Sequence, residues 1–150
     1  MKDPRKLLAD ASETARRLGL PFDGAMPPRE AFDLWKSAQG ATLVDVRTVP
    51  EWNYVGRIPG AVEIEWNHFP SGRNPKFAEE LQTAVPDKEA PLLFICRSGV
   101  RSAAAAQLAQ GLGYKHAINV LEGFEGDLDP DGHRNTVGGW RKAGLPWKQS

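Results

Sequence analysis

Short apolar runs alternate with helix-like stretches along most of this chain. Four runs are mainly apolar and are bounded by glycine, proline or polar residues, a pattern typical of buried strands. They are residues 41–47, 61–64, 91–95 and 117–121. A further short strand is expected near Ala25-Met26.

The stretches between these runs have the spacing of amphipathic helices. The first prediction is a helix from Lys2 to Leu18, closed by Gly19 as its C-cap. Further helices are predicted at 28–40, 76–84 and 102–109, one helical turn at 51–54, and irregular structure at 66–75 and 123–139. Strands that alternate with helices predict an α/β fold, with a parallel sheet covered by helices on both faces.

Composition narrows the class of protein. The 150 residues suit one domain with a sizeable core. A formal net charge of zero gives no reason to expect a nucleic-acid or membrane-surface partner. We also find no signal-peptide pattern and no apolar run long enough to span a membrane. The single cysteine excludes an internal disulfide and fits a reducing compartment, so we predict a cytoplasmic protein.

That cysteine lies in the most informative stretch of the chain, Cys96-Arg97-Ser98-Gly99-Val100-Arg101-Ser102. It follows an apolar strand and precedes an alanine-rich helix, so it is placed in a strand-to-helix turn. The free N–H groups of such a turn and the helix dipole attract anions, and two arginines add charge. A lone cysteine is usually a small buried hydrophobe, but no core needs two arginines in a tight loop beside it. We therefore favour a reactive thiolate.

Four motifs in order resemble the single-domain rhodaneses, and the resemblance runs from about Pro28 to Trp147. They are residues 43–47 with Glu51-Trp52, residues 56–61, residues 96–102, and Leu121-Glu122-Gly123 followed by Trp140. The resemblance implies a three-layer rhodanese-like fold with a five-stranded parallel sheet over residues 28–147, preceded by an N-terminal helical extension and connector over residues 1–27. Two departures are Arg57, where many members have histidine, and an apparent insertion from Phe124 to Gly138.

The resemblance also implies an activity. Cys96 would take a sulfane sulfur from a thiosulfate-like donor as a persulfide and pass it to cyanide, a thiol or a protein that accepts sulfur. Backbone N–H groups of the loop would hold the sulfur, and Gly99 would let the loop close. Arg97 and Arg101 would attract the dianionic donor, and Ser98 and Ser102 would donate hydrogen bonds, although Ser102 could equally be only an N-cap. The substrate-binding residues are thus Arg97, Ser98, Gly99, Val100, Arg101 and Ser102.

Two other functions remain open. One is a cysteine phosphatase of the related fold, which uses a Cys-x5-Arg loop. Here the arginine comes five residues after Cys96, so the loop is one residue shorter. The other is a persulfide carrier or a regulatory module that docks on another protein, although an intact cysteine argues against an inert module.

The remaining polar clusters carry weaker signals. Asp45, Arg47 and Glu51 could contact substrate, but we favour an ion pair that ties the loop after the strand to the next helix. Residues 127–132 begin like a calcium loop, yet Gly138 stands at its twelfth position, so ordinary Asx turns are favoured. The histidines, His68, His116 and His133, show no metal-ligand spacing. We assign no metal and no cofactor.

Overall fold

A five-stranded parallel sheet forms the centre of the computed structural model, which describes residues 3–149. In chain order the elements are α1 (Pro4–Leu18), β1 (Gly24–Met26), α2 (Pro28–Ser37), β2 (Thr42–Asp45), the predicted short helical turn (Glu51–Val55), β3 (Val62–Glu63), β4 (Asn67–His68), β5 (Gly72–Arg73), α3 (Phe77–Ala84), β6 (Leu92–Ile95), α4 (Val100–Gly111) and β7 (Ala117–Val120). The sheet order is β1-β7-β6-β2-β3, and every neighbouring pair is parallel. Strand β6 is therefore central, and its carboxyl end lies where such sheets bind ligands.

Two apolar clusters, one on each face of the sheet, confirm the predicted α/β three-layer fold. On one face α1 and α2 pack with Leu43, Leu93 and Ile95. On the other face α3 and α4 pack with Val44 and Phe94. Successive strand residues point to opposite faces, and both faces are buried, which explains why these strands are continuous apolar runs.

The N-terminal helix packs on the sheet through its apolar side. Leu7, Ala11 and Ala15 are buried, and the helix contacts β1, which pairs with β7. Gly19 has φ +69° and closes the helix as predicted. The predicted first residue, Lys2, lies outside the described residues. The division of the chain at residue 27 stays a prediction.

No helix within residues 3–149 combines the length and apolar character needed to cross a membrane.

The prediction of irregular structure at 66–75 is wrong in part. Strands β4 and β5 pair there as an antiparallel hairpin, with Asn67 opposite Arg73 and His68 opposite Gly72. Each strand has only two residues, which is too short to show an alternating pattern in the sequence. This hairpin matters because it forms one wall of the cleft described below.

Candidate active site

Cys96 directly follows the central strand β6, and its sulfur faces the start of α4. The side chain is only 1% exposed. The Gly99 N–H group donates a hydrogen bond to Sγ at 3.2 Å, and the Ser102 hydroxyl oxygen lies 3.3 Å from Sγ. Burial alone would fit a structural cysteine. The Gly99 N–H group directed at the sulfur, however, is a donor of the kind that stabilises a thiolate or a persulfide anion. The Ser102 hydroxyl gives its one proton to Asn119, so the predicted donation from Ser102 to the sulfur is not seen in this arrangement.

The loop between β6 and α4 turns at Gly99. Its φ is +111°, a conformation that glycine adopts without strain. Gly99 occupies the N-cap position, so α4 begins at Val100, before the predicted start at residue 102. Ser102 therefore lies in the first turn of the helix and is not its cap. Because the first N–H groups of a helix have no partner within it, the positive end of the α4 dipole faces the sulfur.

A buried side chain that the sequence interpretation missed, Asn119 on β7, supports this loop. Its Oδ1 accepts a hydrogen bond from the Ser102 hydroxyl at 2.6 Å, and its Nδ2 donates to the Gly99 carbonyl at 3.2 Å. Asn119 is only 4% exposed. The signal that could have revealed it is a single amide in an otherwise apolar strand, since a buried polar side chain needs hydrogen-bond partners.

The segment that follows β7 holds the other side of the loop. The N–H group of Phe124 donates to the Cys96 carbonyl at 2.8 Å, and that of Glu125 donates to the Arg97 carbonyl at 2.9 Å. Gly123 makes this approach possible, because a Cβ there would lie 2.6 Å from the backbone of Cys96 and Arg97. Both carbonyls are thereby satisfied, while the Gly99 N–H group on the same loop donates to the sulfur.

Arg101 is held by a carboxylate from the other side of the cleft. Its guanidinium donates to both carboxylate oxygens of Glu51, at 2.8 and 3.0 Å. The same carboxylate accepts from the N–H and hydroxyl of Thr48, at 3.0 and 2.9 Å. Burial raises the pKa of Glu51, but Arg101 and Thr48 together outweigh it and lower the pKa from 4.5 to about 2. Burial lowers the pKa of Arg101, but Glu51 outweighs it and the net pKa is raised. The pair is therefore fully ionised at neutral pH.

Asp45, Arg47 and Glu51, which lie close together in the sequence, form two different ion pairs in the structure. Arg47 and Asp45 form a bidentate pair with both side chains fully buried, and Arg47 also donates to the Gly56 carbonyl at 2.8 Å. This is the expected structural ion pair at the base of a loop. Glu51 is different, because it pairs with Arg101 of the cysteine loop. Sequence spacing could not reveal this partnership between residues so far apart.

A cleft of about 780 Å³ lies beside the cysteine loop. Its walls carry the cysteine-loop side chains Arg97 and Arg101, the hairpin residues Phe69 and Pro70, and Arg134. Further lining residues are Thr48, Pro50, Glu51, Val55, Asn67, His68, Gly72 and Glu125.

The residues predicted to bind substrate are arranged unequally around this cleft. Arg97 and Arg101 line it, while Gly99 and Ser102 contact the sulfur. Ser98 is half-buried and Val100 is 77% exposed. The described hydrogen bonds join neither Ser98 nor Val100 to the sulfur, so their predicted roles stay predictions.

The segment from Phe124 to Gly138 is a folded loop and forms part of the cleft wall. The Asp129 carboxylate accepts from the N–H groups of Asp131 and His133, at 2.9 and 2.8 Å, and from the Thr136 hydroxyl at 2.7 Å. These hydrogen bonds lower the pKa of Asp129. The favoured Asx turn is confirmed. Residues 3–149 contain no group of three or more His, Cys, Asp or Glu side chains placed to hold a metal ion. The loop carries Arg134 to the cleft.

The sequence profile of the family described as "Rhodanese-like domain" matches residues 30–128. An uncharacterized protein of Rickettsia conorii is 39% identical over 121 residues, which cover 79% of this chain and 92% of that protein.

Solved structures show the same similarity. The crystal structure of Rv0390 from M. tuberculosis superposes with a TM-score of 0.77 at 40% identity, covering 84% of this chain and 97% of that chain. A protein of unknown function from Rhodopseudomonas palustris, described as a possible tyrosine phosphatase, superposes with a TM-score of 0.53 at 25% identity, covering 97% of this chain and 94% of that chain.

Proposed function

Because the chain belongs to the family of rhodanese-like domains, which supports a sulfurtransferase-type activity, we propose that it is a thiosulfate sulfurtransferase in which Cys96 carries the sulfur. The observation that carries this proposal is the sulfur of Cys96 at the carboxyl end of the central strand, facing the Gly99 N–H group. The donor is a small sulfur-containing anion of the thiosulfate type. The acceptor is cyanide, a thiol or a protein that accepts sulfur.

In the first step the Cys96 thiolate attacks the outer sulfur of thiosulfate. A new S–S bond forms on Cys96, the S–S bond of thiosulfate breaks, and sulfite leaves with the bonding electron pair. The outer sulfur becomes the terminal, negatively charged atom of a persulfide. The Gly99 N–H group and the positive end of the α4 dipole stabilise the negative charge. Before transfer this is the charge of the Cys96 thiolate, and after transfer it is the charge of the persulfide.

In the second step the acceptor attacks the terminal sulfur of the persulfide. Cyanide then leaves as thiocyanate, and the electron pair of the broken S–S bond returns to Cys96 as a thiolate. No external oxidant or reductant is consumed. Arg97, which lines the cleft next to Cys96, attracts the dianionic donor and offsets the charge of the departing sulfite.

A second candidate, a cysteine phosphatase, is favoured by one similarity, to the protein described as a possible tyrosine phosphatase. Two observations weigh against it. The loop has one residue fewer between cysteine and arginine than the Cys-x5-Arg loop of phosphatases. In addition, Glu51 engages both terminal nitrogens of Arg101, so this arginine is not free to clamp a phosphate dianion.

The test measures thiocyanate formed from thiosulfate and cyanide, beside hydrolysis of an aryl phosphate. We expect the wild-type protein to form thiocyanate and Cys96→Ser to form none above background. Arg17→Gln, a change on the exposed side of α1, serves as the control and should match the wild type. Aryl phosphate hydrolysis without thiocyanate would overturn the proposal in favour of the phosphatase.

Mass spectrometry of the intact protein distinguishes a persulfide carrier from an enzyme that turns over with small acceptors. We expect one sulfur atom to be gained with thiosulfate and lost again when a thiol acceptor is added. A gained sulfur that remains on Cys96 in the presence of small acceptors would instead indicate carriage to a partner protein.

A further inference from the structure

The positive and negative side chains on the cleft walls do not balance. Three arginines and two glutamates line the cleft. Glu51 is engaged by Arg101, and Glu125 lies 3.9 Å from Arg141. Within residues 3–149, neither Arg97 nor Arg134 has a carboxylate at ion-pair distance. The cleft is therefore electropositive although the whole chain has a formal net charge of zero.

Arg134 is held in place. Its Nη1 donates to the Gly126 carbonyl at 2.7 Å, and the side chain is half-buried. The loop that carries it is fixed by the Asp129 turn and by the N–H group of Asn135, which donates to the Glu125 carbonyl at 2.7 Å. A guanidinium anchored through one nitrogen keeps its other donors available, and less conformational entropy is lost when it binds an anion.

The cleft is larger than the inorganic donor requires. Thiosulfate has five non-hydrogen atoms and occupies about 150 Å³, taking about 30 Å³ per atom from the volume of liquid water. The cleft holds about 780 Å³, within the range of sites for organic ligands. Its walls are not purely polar, because Phe69, Pro70 and Val55 provide carbon surface. An inorganic anion would make no use of this apolar surface.

From this arrangement we propose that the cleft binds an organic thiol bearing a carboxylate as the sulfur acceptor, and that Arg134 is the specificity-determining residue that binds that carboxylate. This inference rests on the proposed sulfur transfer. The acceptor thiolate attacks the terminal sulfur of the Cys96 persulfide. The old S–S bond breaks with its electron pair on Cys96, and the acceptor leaves as an organic persulfide. Arg134 takes no part in bond breaking; it holds the far end of the acceptor.

The test uses the full chain with thiosulfate as donor and follows sulfite release. The acceptors are mercaptosuccinate, which has two carboxylates, and 2-mercaptoethanol, which has none. The measured quantity is the ratio of kcat/KM for mercaptosuccinate to kcat/KM for 2-mercaptoethanol, so differences in the reactivity of the two thiols cancel between variants. We expect Arg134→Gln to lower this ratio about tenfold, the size of one lost charge-assisted hydrogen bond. Arg134→Lys, which keeps the charge without the planar fork, should lower it less.

Arg17→Gln removes the same kind of charge from the exposed side of α1 and should leave the ratio at the wild-type value. An Arg134→Gln ratio equal to that of the wild type overturns the inference alone. An equal fall in Arg17→Gln also overturns it, because the effect would then come from net charge. No sulfite release by the wild type with any acceptor, cyanide included, overturns the proposed function and this inference with it.

Discussion

Replacing Glu51 by glutamine tests how the cysteine loop is held. The carboxylate accepts hydrogen bonds from both terminal nitrogens of Arg101 and from Thr48. A glutamine amide keeps one acceptor oxygen but turns an NH₂ group toward the guanidinium. The change therefore removes the charge, breaks the bidentate geometry and places donor against donor.

The expected loss of stability can be worked out from the lowered pKa of Glu51. A change from 4.5 to about 2 corresponds to about 3 kcal/mol at about 1.4 kcal/mol per pH unit. Because the Glu51 side chain remains 19% exposed, solvent screens part of this, and we expect Glu51→Gln to lower the free energy of unfolding by about 2 kcal/mol at neutral pH.

The contribution of Glu51 to the free energy of unfolding depends on pH in a known direction. The folded-state pKa is lower than the unfolded one, so the carboxylate stabilises the protein fully above about pH 4.5, and this contribution is lost as the pH falls to about 2. Urea unfolding of wild type and Glu51→Gln should thus show a difference at pH 3 less than half of that at pH 7.

The matched control is Glu13→Gln, which removes a carboxylate from the exposed ion pair with Arg16 on α1 and should cost less than about 0.5 kcal/mol. A cycle with Arg101→Gln should give a coupling energy with Glu51 of about 1 kcal/mol or more. A difference that is equal at pH 7 and pH 3, or a coupling near zero, would refute the ion-pair reasoning.

Three further predictions concern the framework of the site. Arg47→Leu leaves the fully buried Asp45 carboxylate without its partner, and urea unfolding should show a loss of about 3–5 kcal/mol; a loss below about 1 kcal/mol would contradict the structural role. Asn119→Ala removes the hydrogen bond to the Gly99 carbonyl, so sulfite release in a single turnover should slow by about tenfold, as expected for about 1.4 kcal/mol; an unchanged rate would show that the loop holds its shape without Asn119. Gly123→Ala places a Cβ against the backbone of the cysteine loop at φ +67°, so thermal unfolding should show a loss of at least about 1 kcal/mol, whereas Gly111→Ala at an open helical position should show no loss.

The parts of the fold that the sequence predicts well depend on neighbouring residues. The strand before Cys96 and the helix after it are recognisable because each is a continuous run with one kind of side chain. The helix predicted at 76–84 follows from local periodicity and buries Phe77 and Leu81, and the cap at Gly19 follows from the conformation that glycine allows. Their positions needed no knowledge of the rest of the chain.

The supports of the candidate site could not be predicted in this way, because they join distant residues. Arg101 meets Glu51 from 50 positions away, and Asn119 meets Gly99 from 20 positions away. The sequence assigns Arg101 to the dianionic donor, and this stays a prediction; what spacing could not show is that its guanidinium also pairs with Glu51. The sequence predicts the start of α4 too late, because Gly99 takes the cap position by its backbone conformation, whereas the usual signal for an N-cap is a hydroxyl or other polar side chain.

The most direct test of the central claim is the intact mass of the protein after incubation with thiosulfate. The chain has a single cysteine, so any sulfane sulfur carried as a persulfide is assigned to Cys96 without further mapping. We predict that the wild-type protein gains one sulfur atom, that the gain disappears when a thiol acceptor is added, and that Cys96→Ser gains nothing. A wild-type mass that does not change with thiosulfate, or a gain that is equal in Cys96→Ser, would contradict the account.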